Sequence, residues 1–203
     1  MIKIYGSAKS SAGRCIFCLE EVGVPYEIIN LDFKTKEHKS PAFLAINPNG
    51  KIPALIDGKT TLFESMAINF YLADKYKPDL MGVNPEERAI SYQWSFWAMS
   101  ELQDPIIQVF IQKVFVPEDK RSQKIIDENM EKIPGLLTIL DTALKNKTFL
   151  NGKAFTLADL NTQTVVSIAP HLGINISGYK NIDSWMKAIS DRPAFVKYSQ
   201  IRQ

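Results

Sequence analysis

The stretch Asn47-Pro48-Asn49-Gly50-Lys51-Ile52-Pro53-Ala54-Leu55-Ile56-Asp57-Gly58, together with Thr60 to Tyr71, decides the fold of this chain. Asn-Pro and Asn-Gly favour a turn. The apolar residues that follow predict two short strands, Ala54 to Ile56 and Thr60 to Phe63. Asp57-Gly58 between them is typical of a type I′ hairpin. A helix is expected directly after the second strand, so the stretch predicts a turn, a hairpin and a helix in sequence.

Glu64 and Ser65 stand where the second strand meets this helix. Backbone N–H groups are unpaired at a helix start, and together with the helix dipole they hold a carboxylate. Glu64 adds an acceptor for an ammonium group, so the pair suits a ligand end with both charges, such as an α-amino acid group. Ile52 can offer its N–H and C=O to an extended peptide. The alternative is an ordinary hairpin packed on a helix.

The same stretch resembles the glutathione-binding segment of cytosolic glutathione S-transferases. The shared pattern is Asn-Pro-x-Gly-x-Ile-Pro-Ala-Leu followed by Leu-Phe-Glu-Ser-x-Ala-Ile, matched here by residues 47–55 and 62–68. The resemblance implies a cis peptide bond at Ile52-Pro53 and pairing of Ile52 with the cysteinyl backbone of glutathione. It also implies that Glu64 and Ser65 hold the γ-glutamyl end. Glutathione is then a co-substrate, and no metal is expected.

Composition excludes several other classes. The chain has 203 residues, 45% of them hydrophobic and 23% charged, which is typical of a soluble globular protein. A net charge of +2 gives no argument for a nucleic-acid partner, and no apolar run reaches the roughly 20 residues that span a bilayer. Two cysteines three residues apart offer no disulfide framework, so we expect a cytoplasmic protein.

The N-terminal part predicts a β-α-β unit with two parallel strands. Its first strand is Ile2 to Tyr5, its helix ends near Val22, and its second strand lies within Tyr26 to Asp32. Cys15 and Cys18 fall on one apolar stripe inside the helix. A redox Cys-x-x-Cys pair needs its first sulfur exposed at a helix N-terminus. Both cysteines are therefore expected in the core.

Ser10 and Ser11 lie where the first loop meets this helix. Serine is a favoured N-cap, and a hydroxyl beside a helix N-terminus can also stabilise a ligand thiolate. Ser- and Cys-type members of the resembled family place the activating residue in this loop, and several Ser types place it four residues before an Arg. Arg14 follows Ser10 by four, so the resemblance favours Ser10 and leaves Ser11 as second candidate. Tyr5, near the catalytic position of the Tyr-type classes, is the third.

Residues 37–44 resemble the segment that plant-type (phi) transferases have just before their Asn-Pro turn. By this match His38 and Lys39 neutralise the glycine carboxylate of glutathione. The family's next polar contact, one residue before the cis-proline dipeptide, falls at Lys51. A solvated charged loop is the alternative. Asn49 replaces an aromatic residue of the family's turn, so the exact class stays open.

From residue 86 onward the sequence predicts only helices, at about 86–115, 119–147, 160–171 and 182–190. The first has a break or kink at Asp104-Pro105, and the last ends at residues 191–195. Thr156 and Asp159 form a variant capping box before one of these helices. Asp159 is therefore expected to stabilise the fold rather than to act in catalysis. His171 has no second ligand nearby, so we expect no metal site there.

These patterns predict an α+β thioredoxin-like N-terminal domain followed by an all-α helical bundle, the glutathione S-transferase fold. The domain boundaries are expected at residues 1–77 for the glutathione-binding domain, 78–85 for a linker and 86–203 for the helical domain.

The predicted function is glutathione transfer: Ser10 stabilises the thiolate, which attacks an electrophilic, largely apolar second substrate. We expect that substrate between the domains, near Phe110 and Phe115. The alternatives are a glutathione-dependent disulfide reductase or peroxidase on the same fold, or a non-catalytic binding module. The helix from residue 86 has more large apolar residues than one helical face buries. They are Ile90, Tyr92, Trp94, Phe96, Trp97 and Met99. This surplus of apolar surface predicts a homodimer.

Overall fold

A four-stranded mixed sheet forms the centre of the N-terminal part in the computed structural model, which describes residues 1–202. Its strands are β1 (Ile2–Tyr5), β2 (Tyr26–Ile29), β3 (Ala54–Asp57) and β4 (Thr60–Phe63). They lie in the order β2-β1-β3-β4. β1 and β2 are parallel, as predicted, and β3 is antiparallel to both of its neighbours.

The predicted type I′ turn at Asp57-Gly58 is wrong. Asp57 pairs with Thr60, so the two loop residues are Gly58 and Lys59. Gly58 has a φ of 60°, whereas Lys59 is not among the non-glycine residues with positive φ. A single positive φ, at a glycine in the first loop position, is the type II′ pattern. Asp57 stays in the strand because its carboxylate accepts hydrogen bonds from Tyr71 (2.8 Å) and Tyr76 (2.6 Å).

The α-helices are α1 (Gly13–Val22), α2 (Pro41–Leu44), α3 (Ser65–Tyr76), α4 (Pro85–Trp97), α5 (Gln103–Phe110), α6 (Gln123–Ala143), α7 (Leu157–Val166), α8 (Lys180–Ser190) and α9 (Pro193–Arg202). α1 ends where the sequence predicted, because Gly23 adopts the left-handed conformation that terminates helices. By compactness the described chain forms two units. One holds Met1–Met81 with the segment from Ser190 onward, and the other holds Gly82–Ile189.

α9 was not predicted from the sequence. Its Val196 and Ile201 are exposed, so its apolar residues form no single stripe that would signal a helix. Tertiary contacts hold it on α1 instead. Phe17 stacks on Tyr198 with ring centroids 5.4 Å apart, and Arg192 binds the buried Glu21 carboxylate through two hydrogen bonds of 2.6 and 2.8 Å. The C-terminal segment therefore groups with the N-terminal sheet, whereas the predicted domain boundaries placed it in the helical domain.

The long helix predicted for 86–115 is interrupted one turn earlier than expected. A π-helical turn, Ala98–Leu102, separates α4 from α5, and a second π-helical turn, Ile111–Phe115, follows α5. Proline has no N–H, so Pro105 cannot donate to the carbonyl of Glu101. The helical hydrogen-bond pattern therefore changes just before the proline.

Asp159 is the buried centre of the helical unit's polar contacts. Its carboxylate accepts hydrogen bonds from the backbone N–H of Leu150 (2.7 Å), the indole N–H of Trp185 (2.8 Å) and the backbone N–H of Thr156 (3.0 Å). Burial raises its pKa to about 6, although these donors favour the ionised form. Thr156 and Asp159 complete the predicted capping box at the start of α7. The interpretation of Asp159 as a folding residue is confirmed.

Candidate active site

Three predicted site segments meet at one edge of the sheet. Tyr5 at the end of β1 pairs with Ala54 at the start of β3, and Ala54 pairs with Phe63 at the end of β4. The loop after β1, the dipeptide Ile52-Pro53 before β3 and the dipeptide Glu64-Ser65 after β4 therefore lie side by side. Strand pairing, rather than sequence proximity, brings these groups together.

Gly6 allows the loop after β1 to approach Ile52. Its φ is 120°, and a Cβ at this position would lie 2.7 Å from Ala12 Cβ and 3.1 Å from Ile52 Cδ1. Only glycine suits such a φ and such an approach. The Ile52–Pro53 peptide bond is cis, as the resemblance implied.

The N-terminus of α3 faces the same edge. Glu64 precedes it with a φ of 70°, a strained value for a non-glycine residue that costs about 1–3 kcal/mol and is common at functional sites. The Glu64 carbonyl accepts the N–H of Ile68 (2.9 Å), and its side chain makes no capping bond. Ser65, the first helical residue, is buried, and the first turn of α3 has no acidic side chain. The helix start therefore has N–H groups and a positive partial charge for an anion.

Ser10 stabilises the loop before α1. Its hydroxyl donates to the carbonyl of Ser7 (2.7 Å) and accepts the N–H of Ala12 (3.2 Å). The predicted N-cap role of the serines is wrong, because α1 begins later and its N-cap is Ala12, without a side-chain bond. Ser11 is exposed and its side chain makes no hydrogen bond within residues 1–202. The ring of Tyr5 lies 5.7 Å from that of Phe43.

The two cysteines connect α1 to α3. Both are free and fully buried. Cys15 Sγ lies 3.6 Å from the carbonyl oxygen of Ser65, and Cys18 Sγ lies 3.8 Å from that of Asn69. Burial raises the pKa of Cys15 to about 12 and that of Cys18 well above its usual value. Both thiols stay protonated, which confirms the prediction that they belong to the core.

His38 and Lys39 lie against the Asn-Gly turn. The His38 ring stacks on Phe33 at 4.5 Å, and its Nδ1 is buried without a hydrogen bond to any described residue. Lys39 Nζ donates to the carbonyl of Asn49 (3.2 Å). Gly50 has a φ of 57°, and a Cβ there would lie 2.7 Å from this Nζ. The turn requires glycine because of this positive φ and because the same Cβ would lie 2.8 Å from the His38 carbonyl oxygen, which is backbone and cannot move aside.

Asn47 is the residue of this region that the sequence analysis did not assign a role. It is buried, its Nδ2 donates to the carbonyl of Lys51, and its Oδ1 accepts the N–H of Asn49 (3.1 Å). Asn47 therefore holds the turn that presents Lys51, whose side chain is exposed. The signal was present in the sequence, because an Asn side chain commonly bonds to the backbone two residues on.

Phe110 and Phe115 lie in the helical unit and contact each other. Their ring centroids are 5.6 Å apart in an edge-to-face arrangement. Phe115 is 72% exposed and ends the π-helical turn after α5. The two rings form an apolar surface together with the neighbouring exposed Ile111 and Val114.

Residues 1–202 contain no group of three or more His, Cys, Asp or Glu side chains arranged to hold a metal ion. Within the same residues, no helix combines the length and apolarity needed to cross a membrane.

Family models match two parts of this chain: the glutathione S-transferase N-terminal domain at residues 2–74 and the glutathione S-transferase C-terminal domain at residues 102–193. Glutathione S-transferase 4 from Zea mays is 34% identical over 98% of this chain and 92% of its own length. Glutathione S-transferase F9 from Arabidopsis thaliana is 34% identical over 98% of both chains.

A solved structure of glutathione S-transferase I from maize, in complex with an atrazine glutathione conjugate, superimposes with a TM-score of 0.88. It is 34% identical and covers 98% of this chain and 97% of its own. The chain therefore belongs to the glutathione S-transferase family, as its sequence predicted, with the fold and the transferase function of that family.

Proposed function

We propose that this transferase binds glutathione along the sheet edge and activates its thiol with Ser10 for attack on an apolar electrophile. The observation that carries the proposal is the register of β1, β3 and β4. It aligns the Ser10 loop, Ile52-Pro53 and Glu64-Ser65. A tripeptide laid along this edge would meet a thiol-activating hydroxyl, a free backbone edge and an anion-binding helix start.

The γ-glutamyl end is assigned to Glu64 and Ser65. A carboxylate at the start of α3 would meet unpaired N–H groups, the Ser65 hydroxyl and the helix dipole. The exposed Glu64 carboxylate would take the ammonium. Ile52, which directly precedes the buried Pro53, would pair with the cysteinyl backbone in the manner of an added strand.

The glycine end is assigned to His38, Lys39 and Lys51. The Nδ1 of His38 has no hydrogen-bond partner in the described chain. The glycine carboxylate of glutathione would supply an acceptor for it. Lys39 is fixed against the turn by Asn49, so it offers a positioned charge. Exposed lysine contacts of this kind are worth about 0–1 kcal/mol each and would adjust the affinity rather than create it.

Ser10 is assigned to the thiolate. Its hydroxyl would turn from the Ser7 carbonyl to the glutathione sulfur, close to the N-terminal end of α1. A hydrogen bond to the charged form and a positive helix end both lower the pKa of a thiol, and the thiolate is the nucleophile. Ser11 is the second candidate and Tyr5 the third.

The electrophile is assigned to the apolar surface around Phe110 and Phe115. The exposed ring of Phe115, in edge-to-face contact with the half-buried ring of Phe110, suits a flat apolar molecule. The atrazine conjugate bound to the maize relative supports an aromatic substrate class. The two free, buried cysteines fit our further proposal that the protein works in the reducing cytoplasm.

A substrate panel tests this function. The purified chain should accelerate the reaction of glutathione with an activated aryl chloride more than its reaction with an organic peroxide or a mixed disulfide. Faster turnover of the peroxide or the disulfide would favour the reductase or peroxidase alternative. Glutathione binding without turnover of any of the three would favour a binding module.

We expect Ser65→Ala to weaken glutathione binding by about 1–3 kcal/mol, or roughly 5–150-fold in Kd, because it removes one partner of a desolvated charge. Isothermal titration calorimetry measures the change. Ser91→Ala, at an equally buried serine in the helical unit, should leave the affinity unchanged. If Ser65→Ala binds glutathione as the unaltered chain does, Ser65 has no part in the site.

We also propose a homodimer. On α4, Trp94 is buried, but Tyr92 is 41% and Phe96 is 59% exposed, one helical turn apart. Large exposed apolar side chains on one face favour association, and twofold pairing is the commonest form. Light scattering at micromolar concentration should give about twice the 22.9 kDa mass of the chain. A persistent 22.9 kDa species would contradict the proposal.

A further inference from the structure

Productive glutathione binding in the proposed site requires a defined distance between two helix starts. The loop that contains Ser10 leads into α1, and Ser65 opens α3. If the thiol is held at the first position and the γ-glutamyl group at the second, two groups of one ligand are held by different helices. Small misplacements between such anchors weaken binding and turnover strongly.

Cys15 is the side chain that contacts the first residue of α3 from the first turn of α1, while the Asn69 amide of α3 donates to the Arg14 carbonyl of α1 (3.4 Å). Cys15 is the third residue of α1 and its thiol donates to the carbonyl of Ser65, the first residue of α3. The side chain is fully buried, so it both fills the space between the helices and donates the hydrogen bond. A third connection lies one turn further along both helices, where Cys18 donates to the carbonyl of Asn69.

We propose that Cys15 is a positioning residue that holds Ser65 at the distance from the Ser10 loop that glutathione requires. The inference rests on the proposed glutathione site. It assigns Cys15 no chemistry of its own, because a buried, protonated thiol is neither a nucleophile nor a redox group. Its effect is transmitted through the backbone of Ser65.

Cys18 provides a matched control. It lies on the same helix, is equally buried and donates to the same partner helix, but its acceptor is four residues beyond Ser65. Cys15→Ala and Cys18→Ala should therefore lower the melting temperature similarly. Only a positioning role would give them different effects on glutathione affinity.

The experiment measures the Kd of glutathione by calorimetry in the unaltered chain and in Cys15→Ala, Cys15→Ser and Cys18→Ala. We expect Cys15→Ala to raise Kd about tenfold, Cys15→Ser to restore it by keeping a donor, and Cys18→Ala to change it little. The apparent thiol pKa of bound glutathione should stay the same in all variants, because the Ser10 loop is untouched.

Equal Kd values for Cys15→Ala and the unaltered chain, or equal increases in both alanine variants, would overturn the positioning role. Should Cys15→Ala not fold, Cys15→Thr and Cys15→Val decide the question, since these two side chains have the same shape and only threonine donates. Equal Kd values for those two would then overturn it. Absence of glutathione binding by the unaltered chain would overturn the proposed function as well, so the two failures are distinguishable.

Discussion

Asp159→Ala is expected to lower the free energy of unfolding by at least about 3 kcal/mol. The substitution removes the acceptor of four buried donors: the backbone N–H groups of Leu150 and Thr156, the indole N–H of Trp185 and the Thr156 hydroxyl. Each buried unpaired donor costs about 1–3 kcal/mol. The melting temperature should fall by roughly 6–12 °C for a chain of this size.

Thermal unfolding followed by circular dichroism measures this change. Asp183→Ala is the control, because it removes an exposed carboxylate from α8 in the same unit and should stay within about 0.5 kcal/mol. Asp159→Asn should fall between the two, since the amide keeps one acceptor oxygen. A melting temperature for Asp159→Ala equal to that of Asp183→Ala would contradict the central role of this carboxylate.

Ser10→Ala is expected to reduce turnover about a hundredfold, the typical effect of removing a donor that stabilises a reacting anion. Glutathione affinity should remain near that of the unaltered chain, because the hydroxyl acts on the thiolate and not on the ends of the tripeptide. A hydrogen bond to a charged group is worth about 1.5–3 kcal/mol. The apparent thiol pKa of bound glutathione should therefore rise by about 1–2 units.

The ultraviolet absorbance of the bound thiolate, recorded as a function of pH, gives this pKa directly. Ser11→Ala is the matched control and should change neither turnover nor pKa. Because Ser10 also bonds to Ser7 and Ala12, the melting temperature of each variant separates a disordered loop from a lost donor. If only Ser11→Ala raises the pKa, the activating residue is Ser11. If neither does, Tyr5→Phe is the next variant to measure.

Much of the candidate site could be predicted because several of its residues are adjacent in the sequence. The dipeptides Ile52-Pro53 and Glu64-Ser65 belong to one local pattern of turn, hairpin and helix, and local patterns depend on short-range backbone preferences. The capping box at Thr156 and Asp159 was predictable for the same reason. The hydrogen bond that Asp159 accepts from Trp185 could not be predicted, because these two residues are 26 positions apart.

Two of the wrong predictions, the turn type and the missing α9, have one cause. The turn at Gly58-Lys59 changed type because Tyr71 and Tyr76 hold Asp57 in the strand. α9 was missed because its contacts with α1, such as Phe17 on Tyr198, join residues far apart in the chain. Propensity and periodicity describe a residue's neighbours along the chain, and tertiary contacts override them.

The sequence by itself therefore determined the fold family, the β-α-β unit, the hairpin and the identity of the glutathione-site candidates, since each follows from a local motif. Only the tertiary structure decided that these candidates lie side by side, because strand register is a long-range property. It also decided that Cys15 meets Ser65, which is 50 residues away. The apolar stripe of α1 predicted that Cys15 is buried, but a periodic pattern does not identify the residue that it contacts on another helix.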